Sequence, residues 1–247
     1  MHNVAPSVAL VRRSRRLLQL AFVVVSGGAF LASVGLALFV VTLAVPSNPG
    51  YGLYITIRNL LLIGGILVVL VGVGLAIRAL TWKTDSDLAQ ITGEFLRQHF
   101  DQRYTFIRNV SKRQIGYVDA VLVGPPGVLV FRLLNNEGVF FNEASRWLKQ
   151  KAQDDWVPMR LNPTKETVDD IQRLRDFLIK HNLDDVPVFG VIVFLKETPT
   201  VQLSVENPVV PPVQLPWLVT ALQDNYLAKD RIDERAVAAV VRLLYDT

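Results

Sequence analysis

"VDAVLVGPPGVLVFRLLNN", Val118 to Asn136, decides how the C-terminal part of this chain is read. Two runs rich in β-branched residues flank Gly124-Pro125-Pro126-Gly127, the pattern of a β-hairpin. Pro-Pro cannot supply the positive φ angles of a two-residue primed turn, so the loop is expected to be the four residues Gly124 to Gly127. A symmetric loop of that length sets Val123 opposite Val128, and therefore Asp119 opposite Arg132. Directly opposed side chains lie about 4.5–5.5 Å apart at Cβ, so an Asp–Arg ion pair is expected across the hairpin. An exposed pair would contribute only about 0–1 kcal/mol, and a one-residue change of register would turn the two side chains to opposite faces.

Working outward, further strands are expected at about Tyr104–Val110 and Gly138–Asn142, with the hairpin strands at Gly116–Val123 and Val128–Leu134. Leu88, Ile91, Phe95 and Phe100 recur at near-helical spacing and predict a helix from about Asp85 to Phe100. "LNP" starts another: Asn162 can cap it, Pro163 suits its first turn, and Val168, Ile171, Leu174 and Leu178 form its apolar stripe. "VPVFGVIVFL", Val186 to Leu195, is apolar almost throughout and reads as a strand buried on both faces, with helices on either side. "NPVVPPVQLP", Asn207 to Pro216, must be largely extended because each proline disfavours helix in the residue before it. Its P-x-x-P spacing could suit an SH3-type partner, but a connector is the better reading. Helices near Trp217–Tyr226 and Ile232–Tyr245 complete one α/β domain over residues 88–247, with 83–87 as the linker before it.

The preceding residues belong to lipid. The chain is 51% hydrophobic with a mean hydropathy of +0.32, too apolar for one ordinary soluble domain. No residue from Leu17 to Val45 is charged, and a second uncharged run, Leu60 to Ile77, lies between Arg58 and Arg78. At about 1.5 Å per residue the first exceeds a hydrocarbon core of roughly 30 Å, and the second comes close to it. Two transmembrane helices are expected, about 17–45 and 53–80 within 17–82, after a basic N-terminus of residues 1–16. A cleaved signal peptide would have an apolar region of only about 7–15 residues. Tyr51, Tyr54 and Trp82 stand where interfacial aromatics sit. Arg12, Arg13, Arg15 and Arg16 precede the first helix, Arg78 and Lys83 follow the second, and Pro46 to Gly52 carries no charge. The positive-inside rule then puts both termini in the cytoplasm, in a cell (inner) membrane, with Arg58 snorkelling to the far interface.

The pI of about 9.4 comes from that membrane segment. Residues 1–82 hold six arginines and no acid, whereas the remaining 165 hold 20 basic and 22 acidic residues. Composition therefore gives little support to nucleic-acid binding by the domain as a whole. The absence of cysteine excludes disulfides, thiolate metal sites and cysteine nucleophiles. His2, His99 and His181 form no ligand spacing, and "GVGLAI" (Gly72 to Ile77) lies inside the second membrane helix, where glycine means packing. Small-residue pairs such as Gly28/Ala32, Ala29/Ser33 and Gly72/Ala76 would let helices approach closely and offer a route to a homo-oligomer.

"TGEFL" (Thr92 to Leu96), "VDAVLVGPPGVLVF" (Val118 to Phe131), "NEG" (Asn136 to Gly138), Trp147 and "NPTKE" (Asn162 to Glu166) occur in an order that resembles the nuclease-related domain, the NERD family. The resemblance covers residues 92–196 and implies a mixed-sheet, restriction-endonuclease-like fold. In that superfamily an Asp on one strand and Glu-x-Lys on the next hold Mg²⁺ and support the attacking water. Carried over position by position, the Asp is Asp119, the Glu falls on Arg132 and the Lys on Leu134. Glu94 matches a helix acid near the family's site, and Glu166 stands where the family tends to have Gln. The resemblance thus implies a degenerate site of Glu94, Asp119, Arg132, Leu134 and Glu166, without confident catalytic residues and without a metal ligand beyond Asp119. Arginine would stand where the metal would be.

Three functions follow. The first is a membrane-anchored, non-catalytic module whose cytoplasmic domain binds or scaffolds a protein partner. Nucleic acid is a weaker partner, through "SKR" (Lys112, Arg113) and a basic loop "RWLKQK" carrying Arg146, Trp147, Lys149 and Lys151. The second is a Mg²⁺-dependent endonuclease with a site rearranged around Asp119 and Glu94; Glu137 or Glu143 could supply a migrated ligand, though nothing in their spacing demands it. The third is a structural subunit of a membrane complex, its helices carrying the specific contacts. No cofactor is expected outside the nuclease alternative.

Overall fold

The computed structural model describes residues 1–5, 8–41, 43, 45–152 and 155–245, the side chains of 8–15 and 81–86 excepted. The side chains of Arg12, Arg13, Arg15 and Lys83, which carry much of the expected charge bias, lie outside the described residues. In order, the elements are β1 (His2–Val4), α1 (Val8–Val40), α2 (Tyr51–Arg97), β2 (Thr105–Lys112), β3 (Gly116–Gly124), β4 (Gly127–Leu134), β5 (Gly138–Glu143), β6 (Arg146–Ala152), β7 (Asp155–Pro158) and α3 (Pro163–Ile179). They continue with β8 (Val188–Phe194), β9 (Val201–Glu206), β10 (Pro212–Gln214), a 3-10 turn (Leu215–Trp217), α4 (Leu218–Gln223) and α5 (Glu234–Tyr245). The chain divides into two compact units, residues 9–84 and residues 1–8 with 85–247.

In the first unit, Arg16–Val40 and Tyr51–Leu80 are long and apolar enough to cross a membrane. Phe22, Phe30, Leu60 and Leu70 are more than half exposed, which suits lipid and not water. Gly28, Gly35, Gly65 and Gly72 lie at the contact between the two helices. A Cβ on Gly28 would lie 2.8 Å from the Gly65 carbonyl, one on Gly35 would meet Leu62, and one on Gly72 would meet Val25. The small residues Gly28, Ala32 and Gly72 are thus used within the chain. The Tyr54 hydroxyl lies against the Leu38 and Val41 carbonyls at the end of α1 and can donate its one hydrogen to an acceptor that a helix terminus leaves open. The Arg58 guanidinium lies 4.2 Å from the centre of the Phe39 ring and donates to Asn59.

The second unit is a mixed α/β domain. One sheet has the order β1-β2-β3-β4-β8-β10, with β2-β3-β4 antiparallel and β1, β8 and β10 joining in parallel. Phe106, Leu122, Leu129, Phe131 and Val193 face Leu88 and Leu96 of α2, Phe100 just after it, and Leu218 and Leu222 of α4. Ile107, Val121, Val123, Val128 and Val130 face Leu174 and Leu178 of α3 and Val240 and Leu244 of α5. Helices therefore cover both faces, as the apolar run of β8 requires. A second sheet, β7-β6-β5-β9, packs through Phe140, Trp147 and Val201 against Ile192 and Phe194 of β8.

The hairpin has the expected register, with Val123 opposite Val128 and Ala120 opposite Phe131. Gly124 also pairs with Gly127, so the turn is the two residues Pro125–Pro126, shorter than the expected four; Gly127 takes the positive φ of +122° that the prolines cannot. Residues 83–87 lie within α2 and do not break it. "RWLKQK" is strand β6 and not a loop, and β1, β7 and β9 were not apparent from alternation. On α3 the buried stripe is Thr164, Thr167, Asp170, Leu174, Phe177 and Leu178, while Val168 is exposed. Three of its positions are polar, which hid the stripe from a search for apolar spacing.

Candidate functional site

Where β3 leaves β4, Asp119 takes over from the strand ladder. Ala120 still pairs with Phe131, but the next inter-strand acceptor is the Asp119 carboxylate, which accepts the Leu133 backbone N–H at 2.9 Å. The same Oδ2 lies 3.7 Å from Arg132 Nη1, so the expected cross-hairpin pair forms. It is one side of a larger cluster. Arg132 Nη2 reaches Asp170 Oδ2 at 2.9 Å and Glu166 Oε2 at 3.3 Å, both on the first turns of α3. Asp170 also pairs with Arg173.

Several local features aim α3 at the guanidinium. Asn162 caps the helix by accepting the Lys165 N–H, and its amide donates to the Ser145 carbonyl, tying the helix start to the β5–β6 turn. Trp147 donates its indole N–H to Thr164 Oγ1 at 2.7 Å. On the sheet side, Gly190 of β8 admits the helix: a Cβ there would lie 2.8 Å from Thr167 Cγ2. The position one turn on from Glu166 is then Asp170, directed at β4 beside β8.

Burial sets the electrostatics. Asp170 is 1% exposed and Asp119 5%, so each carboxylate depends on its partners for compensation. Burial pushes the Asp170 carboxyl above its ordinary value, against the pull of Arg132 and Arg173 and with a smaller push from Glu166. Three acidic and two basic side chains meet here, and the Arg132 Nε is buried without a protein acceptor.

A divalent ion, which the resemblance implies, would meet the Arg132 guanidinium among these oxygens. Leu134, where the resemblance places a lysine, packs against the apolar cluster of Phe140, Ile192 and Phe194. Among the described residues no three His, Asp or Glu side chains are grouped to hold a metal. Glu94 does not join the cluster. It is exposed, accepts from Gln90, and lies on α2, across the sheet from α3. Glu137 is exposed and paired with Lys196, which holds its carboxyl below the ordinary range. Glu143 is exposed at the end of β5.

The basic surface also divides. Trp147 is 3% exposed and its indole N–H is used, so it offers no face for base stacking, a correction to the strand-binding expectation. Arg146 and Lys151 stay on β6, and the Lys149 ammonium lies 5.6 Å from the Phe140 ring centre. Lys112 and Arg113 lie elsewhere, at the β2–β3 turn. Asp170 and Arg173 went unnoticed in the sequence; the signal available was a charged residue at a helix position that the Thr164, Thr167, Leu174 spacing places inward.

Residues 85–195 match the family model of NERD, the nuclease-related domain. No curated protein and no solved structure matches the chain significantly.

Proposed function

From a chain whose residues 85–195 match the nuclease-related domain, we propose a membrane-anchored protein whose domain has exchanged metal-dependent cleavage for binding or scaffolding. The observation that carries this is the Arg132 guanidinium, held by Asp119, Glu166 and Asp170 where a nuclease of this pattern would gather carboxylates around Mg²⁺. In this reading an internal cation, paired with all three carboxylates, takes the place a metal would have and fixes α3 to the hairpin. The two apolar helices anchor it. That residues 1–8 belong to the same compact unit as 85–247 supports a topology with the N-terminus and the domain on one side of the membrane. In this reading that side is the cytoplasm, which the arginine bias of the sequence favours.

The test is a nuclease assay on the full-length protein in lipid nanodiscs, with single- and double-stranded DNA and RNA and with Mg²⁺ or Mn²⁺. Cleavage no greater than that of Asp119→Asn is expected. Metal-dependent cleavage by the wild type that Asp119→Asn abolishes would establish the nuclease alternative and overturn this reading.

A further inference from the structure

β9 ends the second sheet, and its ladder shows which backbone groups it leaves unused. It pairs with β5 in parallel, in unbroken register from Gly138 with Val201 to Glu143 with Glu206. The Gly138 N–H donates to the Thr200 carbonyl at one end, and the Ala144 N–H to the Glu206 carbonyl at the other. The two-residue period of a parallel ladder then turns the backbone N–H and C=O of Gln202, Ser204 and Glu206 toward β5, and those of Val201, Leu203 and Val205 away from it. Val201 is served within the chain: its N–H donates to the Glu197 carbonyl, and its carbonyl accepts from Thr198 Oγ1 and the Gln214 amide. Among the described residues nothing pairs with the backbone N–H and C=O of Leu203 and Val205.

The other terminal strands are guarded against such pairing. β1 and β10 have three residues each, and β10 begins with Pro212, which has no N–H. β7 has four, ends at Pro158 and joins β6 through a register shift. β9 has six residues, no proline, and one charge, Glu206 at its end. Leu203 and Val205 also line a surface depression with Val213 and Trp217; Trp217 is 64% exposed and Val205 38%, so an incoming strand finds apolar cover. The segment is complementary to itself. Two copies set antiparallel about Ser204 place Leu203 opposite Val205 of the second copy, and each such pair exchanges N–H and C=O in both directions. The same register sets Glu206 opposite Gln202, so no like charges meet. Identical strands paired in this way are related by a two-fold axis, which closes the assembly at two copies. We propose that β9 is the dimerisation edge of this chain, joining the second sheets of two copies into one. The edge lies beyond residues 85–195, which match the family, and the proposal stands whether or not the Arg132 cluster is catalytic.

The test is sedimentation of the full-length protein in density-matched detergent over a concentration series, where a reversible monomer–dimer equilibrium is expected. Ser204 is exposed and would face its own copy across the axis. Ser204→Lys and Ser204→Glu each set like charges against each other there and should weaken the dimer about fivefold, while an equimolar mixture of the two should associate as the wild type does. In that register the two Ser204 Cα atoms are about 4.5 Å apart, within the range of about 4.4–6.8 Å that a disulfide spans. In this cysteine-free chain, mild oxidation should therefore link Ser204→Cys into dimers and leave Asn225→Cys monomeric. Four results would overturn the proposal: a wild type that stays monomeric, which would leave the edge to a strand of another protein; a dimer unmoved by either charge, which would place the contact elsewhere, as on the membrane helices; mixed variants that associate no better than either alone; or equal cross-linking of the two cysteine variants.

Discussion

At Arg132 the account rests on charge and burial. Removing the guanidinium leaves Asp119 and Asp170 buried without their main cation, and breaking a buried pair from one side costs about 3–5 kcal/mol. Arg132→Ala should therefore lower the denaturant midpoint substantially, whereas Arg103→Ala, at the exposed pair with Asp101, should leave it almost unmoved. Equal midpoints for Arg132→Ala and wild type would remove the structural role. Asp170 adds a pH signature. Its carboxyl is raised above the ordinary 3.8 by burial, so the folded state binds its proton more tightly than the unfolded chain does. Its contribution is full below that ordinary value and is lost as pH rises through the folded-state value. The stability advantage of wild type over Asp170→Asn should accordingly shrink as pH rises above about 4 in urea melts. An advantage that grows with pH would contradict the assignment.

The elements around the cluster show why α3 sits where it does. Trp147→Phe keeps the apolar packing but strands the Thr164 hydroxyl, for an expected cost of about 1–3 kcal/mol by denaturant unfolding. Gly190→Val would push Thr167 and Ile171 off β8 and should cost about 1–3 kcal/mol of overpacking in the same measurement. The hairpin register was legible beforehand because the Gly-Pro-Pro-Gly turn fixes which residues oppose each other, and two apolar-faced strands tolerate no slip. Asn162 and Pro163 likewise announced α3 through the ordinary chemistry of helix starts. Less legible were β6 and β7, short strands whose lysines and exposed tryptophan interrupt alternation, and β1, whose three residues join an edge from far away in sequence. The cluster itself was half legible: the hairpin gave Asp119 with Arg132, but Asp170 reaches Arg132 only through the tertiary approach of α3 to β4.

For the whole molecule, β1 makes the N-terminus part of the domain. His2, Asn3 and Val4 pair with Thr105, Phe106 and Ile107, and the Met1 ammonium donates to the Phe100 carbonyl. The chain has no cysteine, so sidedness can be read with single introduced thiols. In intact cells an impermeant maleimide should label Ser47→Cys, in the link between α1 and α2, and should label Asn225→Cys, in the domain, only after permeabilisation. The reverse pattern would invert the topology. The central claim, that an arginine stands in for a metal, meets its most direct test in calorimetric titration of Mn²⁺ into the full-length protein, with Asp119→Asn as the control. No saturable binding that depends on Asp119 is predicted. A stoichiometric site present in wild type and absent from Asp119→Asn would contradict it and show that the carboxylates still serve a metal.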